Sequence, residues 1–272
     1  MRRGNSLAVY LVNLSVSDLL YTISLPVWIM LAQKQTVDDT LCSLVDVIMY
    51  NSFYVGSGLL CCISMDRYLA VVFPLHFATA HKVRTAALVS TLVWLMEIFL
   101  HAGLLAYTGD LQNFSSARLC AVNKSMSAKH AHMAIIRVVL GFLVPVLLMS
   151  FCFQQIIMSL RASTSTVASE RKKIRNLLLL LLLVYMVSFA PFQFVMFLRG
   201  LLEPDNCRTA RSLRDYYMVF VATTTINSVA DPVVYCLMSE SAKTEIKRVL
   251  SNCEDKFSKV ASRIKSSSST TA

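Results

Sequence analysis

Charge is what this chain has least of. Only 15% of its 272 residues are Asp, Glu, Lys or Arg while 56% are hydrophobic, and the mean hydropathy is +0.58. That balance excludes an ordinary water-soluble domain and makes a polytopic membrane protein the default. Metal chemistry is poorly provided for: none of the eight cysteines forms a CxxC pair or has a neighbouring histidine, so no zinc site is expected. Neither HExxH nor GxSxG occurs, and at the depth of Gly56-Ser57-Gly58 the only histidine is His101. An enzyme is therefore not expected. Internal repeats of the kind that build transporters are also missing; buried acids alone keep a proton-coupled transporter as an alternative. After Arg2 and Arg3 no small-residue cleavage site precedes the polar stretch at Gln33, so no signal peptide is read. The net charge of +10 comes from basic residues placed between apolar runs rather than along one face, which excludes a nucleic-acid surface.

What is present is a series of apolar segments, each near the roughly 20 residues that cross a bilayer. They run Leu7 to Leu31, Cys42 to Met65, Ala86 to Tyr107, Ala131 to Leu160, Leu177 to Leu198 and Tyr216 to Met238. Arg2, Arg3, Arg67, Lys82, Arg84, Arg161, the Arg171 to Arg175 run, Lys243, Lys247 and Arg248 all fall on one side, which is then cytoplasmic. The opposite connections have mixed charge and carry sequons at Asn113 and Asn123 beside Cys120, where glycosylation and disulfides are chemically permitted. A sequon at Asn13 lies within a span and is expected to be inert. With an even number of spans both termini are cytoplasmic. The expected architecture is all-α: a transmembrane bundle over 1–238, an amphipathic juxtamembrane helix over 239–253, and a disordered tail over 254–272. Cys253 ends that helix at the inner membrane face, placed for acylation. The Ser/Thr-rich tail is either a phosphorylation segment or merely solvated.

Inside the spans, Pro26, Pro145, Pro191 and Pro232 each remove a backbone hydrogen bond and can bend a helix. Asp18, Glu97, Arg137 and Asp231 are ionisable groups within apolar runs, and an intramembrane charge points to function by default. Asp66-Arg67-Tyr68 closes the second run where a helix leaves lipid, so on its own it is a boundary mark.

In order along the chain stand Asn13-Leu-Ser-Val-Ser-Asp18-Leu, Cys42, Asp66-Arg67-Tyr68, Trp94, Pro145, Phe189-Ala-Pro191 and Asp231-Pro232-Val-Val-Tyr235. In this order and spacing the chain resembles the rhodopsin-like (class A) G protein-coupled receptors, over nearly its whole length. Trp94 followed by Glu97, Arg137 ahead of Gly141-Phe142 and Pro145, and Arg199 eight residues after Pro191 are most similar to the proton-sensing receptors and their lysolipid-linked relative. On that alignment Arg2-Arg3-Gly4 resembles the family's first cytoplasmic loop. The expectation is thus a seven-helix receptor with six spans present and its first span missing, through a truncated gene model or a splice form. A non-signalling fragment retained in the endoplasmic reticulum is the alternative to a plasma-membrane receptor.

The resemblance implies roles residue by residue. Cys42 pairs with Cys120, and Cys207 would pair with an N-terminal cysteine. Asp66 holds Arg67 at rest; once the helix bearing Pro191 swings outward, Arg67 meets a heterotrimeric G protein, assisted by Tyr235. Glu170-Arg171-Lys172-Lys173 stands where many relatives carry an acid that latches this arginine. Asp18, Glu97 and Asp231 are either proton-sensing groups or, for Asp18 and Asp231, a sodium-responsive polar pocket with Glu97 satisfied by a neighbour. No other cofactor is implied. Gln33, Met218 and Gln193 stand where strong proton sensors carry histidines, which favours the lipid-responsive relative. Arg137 and Arg199 point into an outer cavity and suit a carboxylate or phosphate head group; pairing with Glu203, Asp205 or loop acids is the alternative. Tyr50, Phe142, Phe189, Phe192 and Phe197 line or floor that cavity, or simply pack. Membrane lipids, protons or a lysolipid or fatty acid, the G protein, arrestin and receptor kinases complete the implied partners.

Overall fold

The computed structural model describes residues 6–33, 35–73, 83–112, 125–162, 168–204 and 206–238; within these, the side chains of 162, 168–174, 177 and 232–238 are not described. All described secondary structure is helical. In chain order the helices are α1 (Ser6–Ala32), α2 (Asp39–Val72), α3 (Val83–Thr108), α4 (Ala128–Val138), a π turn (Val139–Leu143), α5 (Val144–Ala162), α6 (Ala168–Leu202) and α7 (Cys207–Met238). Each expected span falls on a helix, with α4, the π turn and α5 forming one continuous crossing. By contacts the chain forms two units, Met1–Val229 and Ala230–Ala272. The second contributes only the end of α7 to the described residues. The juxtamembrane helix, the tail, Cys120, Asn113, Asn123 and Cys253 lie outside them.

Five crossings are long and apolar enough to span a bilayer: α1, α2, α3, Ala128–Arg161 and Leu178–Leu202. Phe99, Met96 and Leu147 are 70%, 69% and 68% exposed. Such a belt would aggregate in water and is at home in hydrocarbon.

The helix α2 is the centre of the first unit. Half of its apolar window (50%) is buried against 22% for α3, and it packs on α1, α3 and α5. Its start is fixed locally: the Asp38 carboxylate accepts from the amides of Thr40 and Leu41 at 3.0 and 3.1 Å, the usual N-cap arrangement. At the far end of α3, Gly109 takes a φ of +89° and Leu111 N–H returns to the Leu105 carbonyl at 3.2 Å, a glycine-dependent stop.

Pro145 shapes the middle of the bundle. With no N–H of its own it leaves the carbonyl of Gly141, four residues earlier, without the usual helical partner. The π turn carries that carbonyl inward, to 3.2 Å from Ser57 Oγ and 3.3 Å from Tyr185 Oη, which lie 2.6 Å from each other. With one proton on each hydroxyl, one donates to the carbonyl and the other to its neighbour, so α2, the π turn and α6 meet at one backbone oxygen. Gly141 is needed there, since a Cβ would lie 2.1 Å from Cε1 of Tyr54. Gly141→Ala is expected to cost about 1–3 kcal/mol by overpacking, seen as a lower melting temperature of the detergent-solubilised protein. A wild-type melting temperature for Gly141→Ala would refute the contact.

Candidate functional site

Two regions of the first unit carry chemistry, at opposite ends of α2. At the inner end, Arg67 Nη2 donates to Asp66 Oδ2 at 2.5 Å and Ser6 Oγ donates to Asp66 Oδ1 at 3.1 Å. The Asp66–Arg67 pair is therefore present, and α1 contributes to it through Ser6. Tyr68 does not join the clasp. Its ring packs on Phe151 and Phe73, with centroids 6.0 and 5.8 Å apart, beside an apolar cluster of Ile156, Leu160 and Leu178. The inner ends of α5 and α6 are thus closed over α2. Tyr235 belongs to α7, but its side chain, like that of Glu170, is outside the described residues.

Toward the outer end, Asn51 and Tyr54 of α2, Glu97 and His101 of α3, and Arg137 and Gly141 line one pocket. Arg137 is 4% exposed, and its guanidinium lies 4.3 Å above the Tyr50 ring and 5.9 Å from that of Tyr54, a cation–π arrangement. Its Nη2 has no hydrogen-bond partner among the described residues. Asn51 Nδ2 donates to His101 Nδ1 at 3.0 Å, which leaves the proton of the neutral ring on Nε2. That Nε2 is also buried without a hydrogen-bond partner among the described residues. The pocket therefore presents donors from a guanidinium and an imidazole that make no hydrogen bond among the described residues, with the Glu97 carboxyl in the same lining.

The two arginines expected together in the cavity differ. Arg199 is not free: its Nε and Nη2 donate to Glu203 Oε2 and Oε1 at 2.6 and 3.0 Å. The i,i+4 spacing on α6 brings the pair into register. Glu203 is fully buried and also accepts from the Met126 amide at 3.2 Å. Arg199 lies 4.5 Å over Tyr217, whose hydroxyl bonds that of Tyr50 at 2.9 Å. Phe189 is buried. It sits in the core with its centroid 4.5 Å from Phe53 and 4.6 Å from Tyr185. Phe142 stacks on Tyr185, Phe192 packs with Phe53 and Tyr217, and Phe197 is exposed, because the helical turn carries it to the outside of α6.

Asp18 accepts from Ser228 Oγ at 3.0 Å, whereas Glu97 lines the pocket with Arg137. Asp231 lies in the second unit. Asn13 is held inside the bundle, accepting from Trp94 Nε1 at 3.2 Å and donating to the Val9 carbonyl at 2.9 Å, which accounts for an inert sequon. Cys42 is buried and not a free thiol, while Cys207 is free and exposed. At the outer ends of α3 and α4, His130 Nε2 pairs with Asp110 Oδ2 at 2.8 Å.

Sequence reasoning missed Asp46. It is 7% exposed within α2, one turn beyond Cys42 and one turn before Tyr50. The signal was there, a carboxylate within the apolar run Cys42 to Met65. Asn51 and Tyr54 were missed for a different reason, since single polar residues in a span rarely show which neighbour they will meet.

Comparison with known proteins supplies the wider frame. The chain matches the 7 transmembrane receptor (rhodopsin family) over residues 1–235. It is similar to mouse G-protein coupled receptor 68, 32% identical over 256 residues that cover 93% of this chain and 70% of that protein. It is similar also to human G-protein coupled receptor 65, at 29% over 265 residues, 93% and 79% of the two chains. Human lysophosphatidic acid receptor 4 is 28% identical over 252 residues, 89% and 68% of the two chains. A clasped arginine at the inner end of a central helix is what such a match leads one to look for, and the chain belongs to the rhodopsin family of seven-transmembrane receptors.

Proposed function

We propose that this receptor answers an anionic lipid amphiphile, a lysolipid or an oxidised fatty acid, whose head group is bound by Arg137. Membership of the family carries the coarser part: the chain is a multi-pass membrane receptor that signals to a heterotrimeric G protein and is not an enzyme. The finer part rests on one observation, the buried Arg137 Nη2 without a hydrogen-bond partner among the described residues. A guanidinium held out of water is costly until an acceptor arrives, and a carboxylate or phosphate meets its two parallel N–H groups. His101 Nε2 adds a neutral donor to the same pocket. One similar receptor is named for lysophosphatidic acid, an anion of this class.

The test is G protein activation in cells, normalised to surface labelling, titrated with lysophosphatidic acid and with a hydroxy fatty acid. Arg137→Gln should weaken potency roughly 30-fold or more, as for removal of one partner of a desolvated charge pair. Equal potency in wild type and variant would sink the proposal. A proton response is the second reading, favoured by Glu97 lining the Arg137 pocket: protonation of a group whose surroundings change with the packing shifts the population of states. Glu97→Gln with Asp231→Asn should then flatten the response to external pH, and an unchanged acid midpoint would exclude it. A sodium ion at Asp18, where a carboxylate and the Ser228 hydroxyl offer oxygen atoms to a hard cation, is part of the proposal. So are the Cys42–Cys120 disulfide, glycans on Asn113 and Asn123, acylation of Cys253, plasma-membrane placement, and recruitment of arrestin and receptor kinases. Their support is the resemblance at positions that this chain matches.

A further inference from the structure

The outward side of α5 carries one group that hydrocarbon does not suit. Met149, Cys152, Ile156 and Leu160 are buried against the bundle, while Val144, Leu147, Phe151, Gln154, Met158 and Arg161 are exposed. The exposed set recurs at alternating intervals of three and four residues, the heptad spacing of a seam that meets another helix. Arg161 closes the stripe in the last turn of α5, at the inner head-group level, where water and salt screen its charge. Gln154 lies two turns before it, roughly 10 Å deeper at about 1.5 Å per residue, inside the span Ala128–Arg161.

A carboxamide has two N–H donors and an acceptor oxygen, and leaving them unpaired in an apolar medium is costly. The Gln154 side chain makes no hydrogen bond among the described residues, and within their apolar spans it is the one exposed Asn or Gln. Exposed hydroxyls are managed differently: Ser15 and Thr22 donate to the Leu11 and Asp18 carbonyls of their own helix at 3.0 and 2.7 Å. Acyl chains offer Gln154 nothing in return. A second carboxamide offers both a donor and an acceptor, and a second copy of the chain brings one at the same depth. Two copies share one orientation in the membrane, so a twofold axis along its normal sets residue i of one α5 against residue i of the other. On that axis each Gln154 amide donates to the other's carbonyl oxygen, two hydrogen bonds in all. Val144, Leu147, Phe151 and Met158 pack on either side, in the left-handed crossing near 20° that a heptad repeat favours. We propose that the outer stripe of α5 is a self-association face, on which Gln154 pairs with Gln154 of a second copy and sets the register. A single polar residue in an apolar seam fixes register and partner number in coiled coils by the same means.

The test uses the full chain carrying a donor or an acceptor fluorescent protein after its C-terminal residue, reconstituted in palmitoyl-oleoyl phosphatidylcholine vesicles. Energy transfer is followed as protein density rises. Wild type should reach a plateau that unlabelled receptor competes away. Gln154→Leu should need roughly 3- to 30-fold higher density for half-maximal transfer, while Gln154→Asn, which keeps the carboxamide, should stay within about threefold of wild type. A second arm introduces a thiol at Leu147→Cys, one heptad from Gln154 on the same stripe, or at Met96→Cys on α3, where exposure is nearly equal, 69% against 68%. Under mild oxidant Leu147→Cys should cross-link between copies, above the wild-type blank, and adding Gln154→Leu should reduce that yield; Met96→Cys should give no more than the blank. Equal midpoints for wild type and Gln154→Leu overturn the inference, as does Met96→Cys cross-linking as readily as Leu147→Cys. Absence of transfer in these vesicles overturns it too, because the stripe is then covered by lipid or by another protein.

Discussion

Glu203→Ala is expected to destabilise the receptor by about 3–5 kcal/mol, the cost of breaking a buried ion pair and leaving one charge behind. The geometry gives no easy escape. Glu203 is fully buried, Arg199 reaches it through two nitrogens at 2.6 and 3.0 Å, and the Met126 amide uses the same carboxylate at 3.2 Å. Removing it orphans a guanidinium and a backbone N–H together. The loss should spread to the pocket, because Arg199 sits over Tyr217 and Tyr217 holds Tyr50 beneath Arg137. The double variant Arg199→Met with Glu203→Leu replaces the pair by apolar groups and should lie much nearer wild type, since a buried pair contributes far less than its broken half costs. Melting temperatures of the three solubilised proteins decide the matter. A single variant as stable as the double would show that the pair is not the support argued here.

How much of this was legible in the sequence follows from the range of each interaction. The helices were readable because a bilayer crossing is a property of one continuous segment. Their ends were less so: the second span, expected over Cys42 to Met65, runs as α2 from Asp39 to Val72, since Asp38 caps its start and helix tolerates Asp66 and Arg67 at the membrane edge. The Asp66–Arg67 clasp is local and was anticipated, but the hydroxyl of Ser6 arrives from 60 residues away and was not. The split between Arg137 and Arg199 illustrates both sides. An i,i+4 acid for Arg199 stood in plain view as Glu203, and was weighed as the alternative. That Arg137 would lie over a tyrosine ring depends on how α4 meets α2, which no spacing reveals. The meeting of Gly141, Ser57, Tyr54 and Tyr185 is likewise a product of packing between three helices, with Pro145 as its only local sign.

Asp66→Asn is expected to raise basal G protein signalling by roughly 5- to 30-fold. Asp66 accepts from Arg67 at 2.5 Å and from Ser6 at 3.1 Å, and a hydrogen bond to a charged group contributes about 1.5–3 kcal/mol, against 0.5–1.5 for a neutral one. The amide of Asn keeps the shape and one acceptor oxygen but not the charge, so about 1–2 kcal/mol of the hold on Arg67 is lost. If that hold exists only in the resting arrangement, the whole difference appears as a shift in population, at tenfold per 1.4 kcal/mol. Ser6→Ala removes a neutral donor and should give a smaller rise. Arg67→Ala should be silent in either background, because the group that is released is also the group that couples. Full activation is not expected from Asp66→Asn, since Tyr68 still packs on Phe151 beside Ile156, Leu160 and Leu178, and those contacts must also part before α6 can move. Basal nucleotide exchange measured in membranes, per surface receptor, separates these cases. Basal exchange in Asp66→Asn equal to wild type would mean that the apolar closure, and not the charge clasp, holds the receptor at rest.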